Sequence, residues 1–156
     1  MNNEECMRRA VDLSREKMLE HQGGPFAAVV VLDGKIVGEG WNHVTGRNDP
    51  TAHAEISAIR DACERLGTFT LEGARIYTSC EPCPMCLAAI YWARIDRIYY
   101  ANTTEDAAAI GFDDALLYAE MAKPADERCL PAEQLPSPEA IKVFAEWAAM
   151  PDKIAY

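Results

Sequence analysis

Two short segments hold the residues of this chain whose types and spacing can do chemistry. One is Thr51-Ala52-His53-Ala54-Glu55; the other is Ser79-Cys80-Glu81-Pro82-Cys83-Pro84-Met85-Cys86. Cys83 and Cys86 are spaced so that both sulfurs reach one ion from a single helical turn. His53 brings an imidazole from another segment. Two thiolates and an imidazole suit Zn2+, and three protein ligands leave the fourth tetrahedral position open to solvent, as a catalytic site requires. Glu55 follows His53 by two residues and can reach that opening without ligating. A carboxylate there takes a proton from a water and returns it to a substrate. Ala54 is small enough to let a flat ligand approach the backbone.

Taken singly, the pieces say less. A lone C-x-x-C is often a structural zinc half-site or a redox pair, and a lone His-x-Glu is uninformative. It is their combination at two helix starts, with prolines around Cys83, that carries the signal. Cys80 extends the run to Cys80-x-x-Cys83-x-x-Cys86, as at the start of an iron–sulfur motif, but Leu87-Ala88-Ala89 follows and no fourth cysteine completes it. Cys80 therefore reads as a buried strand-end residue. Cys6, Cys63 and Cys129 read as packing residues, and His21 and His43 as surface or cap residues.

Elements must deliver these groups. Residues 4–21 predict an amphipathic helix with Met7, Val11, Ser14 and Met18 on its buried stripe, flanked by Cys6, Ala10 and Leu13. Phe26–Leu32 and Lys35–Trp41 predict two strands joined by Asp33-Gly34, a two-residue hairpin signal. Residues 42–50 read as loop. A helix over 52–66 is capped near Thr51 and ended by Gly67. A strand over 74–78 leads to a helix over 84–93, whose Pro84 suits a first turn. A strand over 97–101 follows, then helices over 104–110, 114–121 and 138–150. Residues 123–136 hold three prolines and read as an extended connection, with a possible fifth strand near 128–134. Alternating strand and helix predicts βαβ crossovers and a mixed, mostly parallel sheet with an antiparallel hairpin at its edge.

The chain has 156 residues, enough for one domain and no second independent core. It carries 25 acidic against 15 basic residues, net −10, and 11 of the acids lie after residue 100 with only four bases. Such a surface disfavours nucleic acid as a partner, since that affinity comes largely from Lys and Arg on phosphates. No apolar run spans a membrane, and the first residues lack a secretion signal. Six cysteines without such a signal read as reduced thiols in the cytoplasm.

At His53-Ala54-Glu55 and Pro82-Cys83-Pro84-Met85-Cys86 the chain resembles the zinc-dependent nucleobase deaminases of the cytidine and deoxycytidylate deaminase superfamily, whose signature is H-x-E with P-C-x-x-C. The resemblance extends to one branch, the small bacterial guanine deaminases. It runs through Gly23-Gly24-Pro25-Phe26, Asn48-Asp49-Pro50, Tyr77-Thr78, Ala89-Ile90-Tyr91-Trp92-Ala93-Arg94, Gly111-Phe112-Asp113-Asp114 and the terminal Tyr156.

The resemblance implies a three-layer αβα sandwich of the cytidine deaminase fold over residues 1–156. Zinc would sit on His53, Cys83 and Cys86, with Glu55 as proton shuttle. The reaction would be hydrolytic removal of guanine's C2 amine by a zinc-activated water, giving xanthine and ammonia. A homodimer is implied too, with residues 125–156 reaching the partner subunit, where Glu139 and Glu146 are candidate helpers and Tyr156 a lid.

Substrate choice must come from contacts to the ring edge. The amide of Asn42 donates and accepts, which suits a purine edge. A carboxylate at Asp114 would accept from guanine's N1 and N2 donors and would face adenine's N1 unpaired. The competing role for Asp113 and Asp114 is a helix N-cap. Phe26 and Trp92 are candidates to pack the ring. Alternatives are a tRNA adenosine deaminase, a deaminase of cytosine, guanosine or an aminotriazine, and, outside catalysis, a zinc-stabilised binding module with Cys80 as fourth ligand.

Overall fold

The computed structural model describes all 156 residues, Met1–Tyr156. Contacts divide the chain into two compact units, Met1–Tyr118 and Ala119–Tyr156.

The first unit opens with helix α1 (Asn3–Leu19), started by a capping box in which Asn2 and Glu5 satisfy each other's backbone N–H. Its buried side chains are Cys6, Ala10, Leu13 and Ser14. Of the predicted stripe Ser14 is buried and Met7 packs partly buried on the core, but Val11 and Met18 are exposed, and the predicted flank of Cys6, Ala10 and Leu13 carries most of the burial. Strands β1 (Ala27–Leu32) and β2 (Lys35–Trp41) follow. They are joined at Asp33 and Gly34, both at positive φ, as a tight two-residue hairpin turn requires. The predicted loop at 42–50 contains one helical turn, α2 (Val44–Arg47), ended by Asn48 in the left-handed region. Then come α3 (Ala54–Leu66), β3 (Arg75–Cys80), α4 (Pro84–Trp92), β4 (Arg97–Asn102), α5 (Thr104–Ala109) and α6 (Ala115–Ala122).

The sheet is mixed, in the order β2-β1-β3-β4. The expectation of mostly parallel pairing needs correction: β1–β2 and β1–β3 are antiparallel, and only β3–β4 is parallel. The crossovers do make β2, β3 and β4 run the same way. But β1 lies between β2 and β3 in the opposite sense, so the β2-α3-β3 crossover spans a strand instead of pairing its two ends. Being central, β1 buries both faces. Ala28 and Val30 meet α3 and α4 through Ala54, Ala58, Ala62 and Ile90, while Val29 and Val31 meet Cys6 and Ala10 of α1. Helices thus cover both faces, the three-layer αβα arrangement that the resemblance implies.

Glycine lets α3 lie unusually close to β2. A Cβ on Gly40 would sit 2.2 Å from the Ala58 nitrogen and 2.3 Å from the Ala54 oxygen. No larger residue fits there, and this close packing fixes where α3 begins.

The second unit contains a 3-10 turn (Ala125–Glu127) and α7 (Pro138–Ala149), whose N-cap Ser137 accepts from the Ala140 N–H. The possible strand near 128–134 does not form. Pro131 interrupts that stretch and Pro136 follows it, each lacking a ladder donor, and it carries no regular structure. Every side chain from 119 to 156 except Glu120 is exposed in the single chain, so this unit has no core of its own.

Candidate active site

The three proposed ligands converge. His53 is the N-cap residue of α3 and Cys83 that of α4, both extended, and neither spends its side chain on capping. Cys86 follows in the first turn of α4. The Nδ1 of His53 lies 3.5 Å from each sulfur. All three donor atoms fall within 4.8 Å of one another. Bonds of about 2.0 Å to nitrogen and 2.3 Å to sulfur, at tetrahedral angles, place N and S about 3.5 Å apart. The donor set and its spacing therefore fit zinc, and no fourth His, Cys, Asp or Glu joins the cluster. Cys80, the candidate fourth ligand of a closed site, instead donates its thiol to the Thr103 carbonyl at 3.5 Å, and burial pushes its pKa up to about 11.

Electrostatics favour ionisation of one of the two sulfurs, Cys83. Two helix N-termini, with their partial positive charge, meet at the cluster. Sharing a proton with Cys86, helped by the His53 ring, draws the Cys83 thiol down to about 4, and Cys86 as the hydrogen-bond donor moves up. The hydrogen bond to Cys83 raises His53.

Glu55, in the first turn of α3, is only 8% exposed. Desolvation pushes its carboxyl above the ordinary range, against the opposing pull of hydrogen bonds from its own N–H and from Cys86. Burial thus favours the protonated form of a carboxyl that stands beside the ligands.

These groups open into a cavity of about 420 Å³. Asn42, Ala54, Phe26 and Asp114 line it with His53, Glu55 and Cys83. The Asn42 Oδ1 accepts from the Gly24 N–H at 3.3 Å and the Val44 N–H at 3.1 Å. With its oxygen occupied, the amide has its NH2 left to donate. Partial burial, and secondarily the charges of Cys83, Asp113 and Glu81, raise the Asp114 carboxyl. Asp113 takes the capping role, accepting from the Ala115 N–H at 2.9 Å.

Sequence reasoning did not single out Phe112, Glu81 or Ser79, which also line the cavity. Phe112 packs edge-on against Phe26, ring centroids 4.8 Å apart. Ser79 accepts from the Ala27 N–H, and Glu81 accepts from the Thr104 N–H at the start of α5. The signal for all three was their place in motif segments: Ser79 and Glu81 precede Cys83, and Phe112 precedes the aspartate pair. Trp92 is not brought to the cavity. It ends α4, is 68% exposed and borders a shallow depression with Tyr91 and Arg94. Tyr156 is the exposed last residue of the second unit. His43 is not on the surface as expected but 7% exposed, and although it stands at the N-cap position of α2 its side chain makes no capping bond.

Comparison with known proteins bears on this site. Residues 1–102 match the model of the cytidine and deoxycytidylate deaminase zinc-binding region. The whole chain is 51% identical to guanine deaminase of Bacillus subtilis, covering all of both sequences. A crystal structure of guanine deaminase from that organism superposes with a TM-score of 0.96 over 100% of this chain and 99% of that one. A guanine deaminase structure from Nitrosomonas europaea is 32% identical, with a TM-score of 0.69 over 73% of this chain and 66% of that one. The tRNA-specific adenosine deaminase of Agrobacterium fabrum is 54% identical, but over only 49% of this chain and 50% of that one.

Proposed function

Because the chain belongs to the cytidine and deoxycytidylate deaminase family, we propose that it is a guanine deaminase, hydrolysing guanine to xanthine and ammonia. The observation that carries this reading is end-to-end likeness to a guanine deaminase in both sequence and fold, where likeness to a tRNA deaminase covers half the chain. The net charge of −10 agrees, since a tRNA substrate calls for a basic surface.

His53, Cys83 and Cys86 would hold the zinc. When bound there, the ion acts as a Lewis acid and brings the pKa of water to about 7. The chain's own groups do the rest. Glu55 accepts the proton of the water that attacks C2 and passes it to a ring nitrogen. It then takes the second proton, from the oxygen now bonded to C2, and delivers it to the departing amine, so that the C2–N bond breaks with release of ammonia and C2 keeps the water's oxygen as the xanthine carbonyl. The Asn42 NH2 donates to an acceptor on the purine edge. The Asp114 carboxylate accepts from the N1 and N2 donors, which adenine does not present in that pattern. Phe26, with Phe112 against its edge, walls the cavity with apolar surface suited to a flat ring, and Ala54 leaves room for its approach.

We further read the enzyme as a cytoplasmic homodimer acting in purine metabolism. The exposed apolar side chains of the second unit, among them Leu130, Leu135, Ile141 and Phe144, support a partner for residues 125–156. Trp92 and Tyr156, exposed in the single chain, are proposed to pack on the ring once two chains assemble. No helix is long and apolar enough to cross a membrane.

The test is ammonia release by the purified protein with guanine, adenine, cytosine and guanosine supplied separately. Turnover of guanine to xanthine, well above the other rings, is the expected result. Guanine left inert while another ring is deaminated would replace the substrate assignment.

A further inference from the structure

Asn42 reaches the cavity through a turn whose middle residue is His43. The Asn42 Oδ1 accepts from the Val44 N–H, two residues on, so the side chain closes an Asx turn over the His43 backbone. His43 itself has φ −117° and ψ 11°, a sparsely populated conformation. Its N–H donates to the Ala52 carbonyl at 2.9 Å, directly before His53, and its carbonyl accepts from the Arg47 N–H at 2.9 Å. One residue thus ties the segment carrying Asn42 to the segment carrying a zinc ligand.

The His43 side chain does not enter the purine cavity. With Trp41 it lines a second groove of about 450 Å³, walled by α1 and α3. The imidazole packs on the Trp41 indole, ring centroids 4.6 Å apart and planes tilted by 50°, while the Lys17 Nζ lies 4.9 Å from the centroid of the same indole. This packing fixes the rotation of a residue whose backbone the Asx turn depends on.

We propose that His43 is a positioning residue for Asn42: its imidazole, wedged against Trp41, holds the turn that keeps the Asn42 amide aimed into the purine cavity. The inference rests on the reading of that cavity as a guanine site. It predicts that changes at His43 act on substrate binding rather than on the chemical step.

The surroundings also favour a neutral ring. From α1 the groove presents Arg9, Glu16 and Lys17; from β2, Glu39; from α2, Arg47; from α3, Arg60, Asp61, Glu64 and Arg65. Glu39 is paired with Arg9, Glu16 with Arg9 and Lys17, and Asp61 with Arg65. The Trp41 Nε1 beside the imidazole is already a buried donor without a partner. Burial, then Arg47 and Lys17, lower the His43 pKa. A proton forced onto the ring in acid would oppose the packing that holds the turn.

The test is steady-state guanine kinetics of the zinc-loaded enzyme between about pH 5 and pH 8, where histidine titrates, with His43→Ala and His43→Phe. Wild-type turnover of guanine, measured first, tests the substrate reading by itself; only the difference between wild type and variants tests His43. His43→Ala is expected to raise KM roughly tenfold while leaving kcat within about threefold, as for a misplaced binding group. His43→Phe keeps a ring on Trp41 but cannot take a proton. Wild type is expected to show a rise in KM in acid; His43→Phe should restore most of the lost KM and abolish that rise. An unchanged KM in His43→Ala, or a loss confined to kcat, overturns the proposal. Should the alanine variant fail to fold, the phenylalanine variant decides alone: loss of the acid rise in KM supports the role, and its persistence overturns it.

Discussion

Asp113 and Asp114 are neighbours in the chain with different partners. Both border the purine cavity, but Asp113 commits a carboxylate oxygen to the Ala115 N–H at 2.9 Å at the start of α6, while Asp114 has a carboxyl raised by partial burial. Two adjacent acids of the same type therefore separate cap from ligand contact, and a pair of substitutions reads the separation.

Asp114→Asn should lower kcat/KM for guanine by about 100-fold, because an amide NH2 facing the N1 and N2 donors leaves polar groups unpaired. Asp113→Ala should cost about 1 kcal/mol of stability through the lost cap with a smaller loss of kcat/KM. Guanine kinetics and thermal unfolding on both proteins check this. Equal kinetic losses would mean that the cap, by placing the loop, matters as much as the proposed contact.

Gly40 controls the seating of α3. Alanine there would force its Cβ to within 2.3 Å of backbone atoms in Ala54 and Ala58. Neither side can yield without moving the helix whose start carries His53 and Glu55. Gly40→Ala is predicted to destabilise the fold by about 3 kcal/mol and to reduce zinc content in parallel. Thermal unfolding and metal analysis would show it.

Glu39 supplies a pH dependence with a definite sign. Its carboxylate accepts two bonds from the Arg9 guanidinium, at 2.7 and 2.9 Å, which hold its pKa below the ordinary 4.5. A depressed carboxylate contributes stability that is present above 4.5 and is lost as pH falls through the folded-state value. The pair is partly solvated, so about 1 kcal/mol is the expected size at neutral pH. Glu39→Gln should therefore melt below wild type at neutral pH, and the gap should close in acid. A gap that stays constant with pH would assign the effect to packing alone.

Much of this architecture was legible in the residues, for identifiable reasons. The convergence of His53, Cys83 and Cys86 was readable because the two cysteines sit one helical turn apart and the histidine shares a segment with Glu55. The hairpin was readable because Asp33-Gly34 tolerates the positive φ that the turn demands. Pairing order was not, since nothing local to Ala27–Leu32 tells the strand to insert between β2 and β3. The buried face of α1 was misplaced because Met7, Val11 and Cys6, Ala10, Leu13 form two overlapping apolar stripes, and only the sheet beneath chooses between them. The fifth strand failed where prolines interrupt the stretch. His43 looked like a loop residue because its burial comes from Trp41 and the α1–α3 groove, which no spacing rule encodes. Phe112 carried no periodic signal, and its role against Phe26 exists only after folding.

The central claim is that Glu55 moves protons beside an open zinc site. The most direct measurement is guanine turnover and zinc content of Glu55→Gln, which keeps the shape of the side chain and removes its ability to ionise. The expected result is full zinc occupancy, an unchanged melting profile and a kcat lowered by about 1,000-fold or more. Wild-type turnover in that variant, with zinc still bound, would contradict the account.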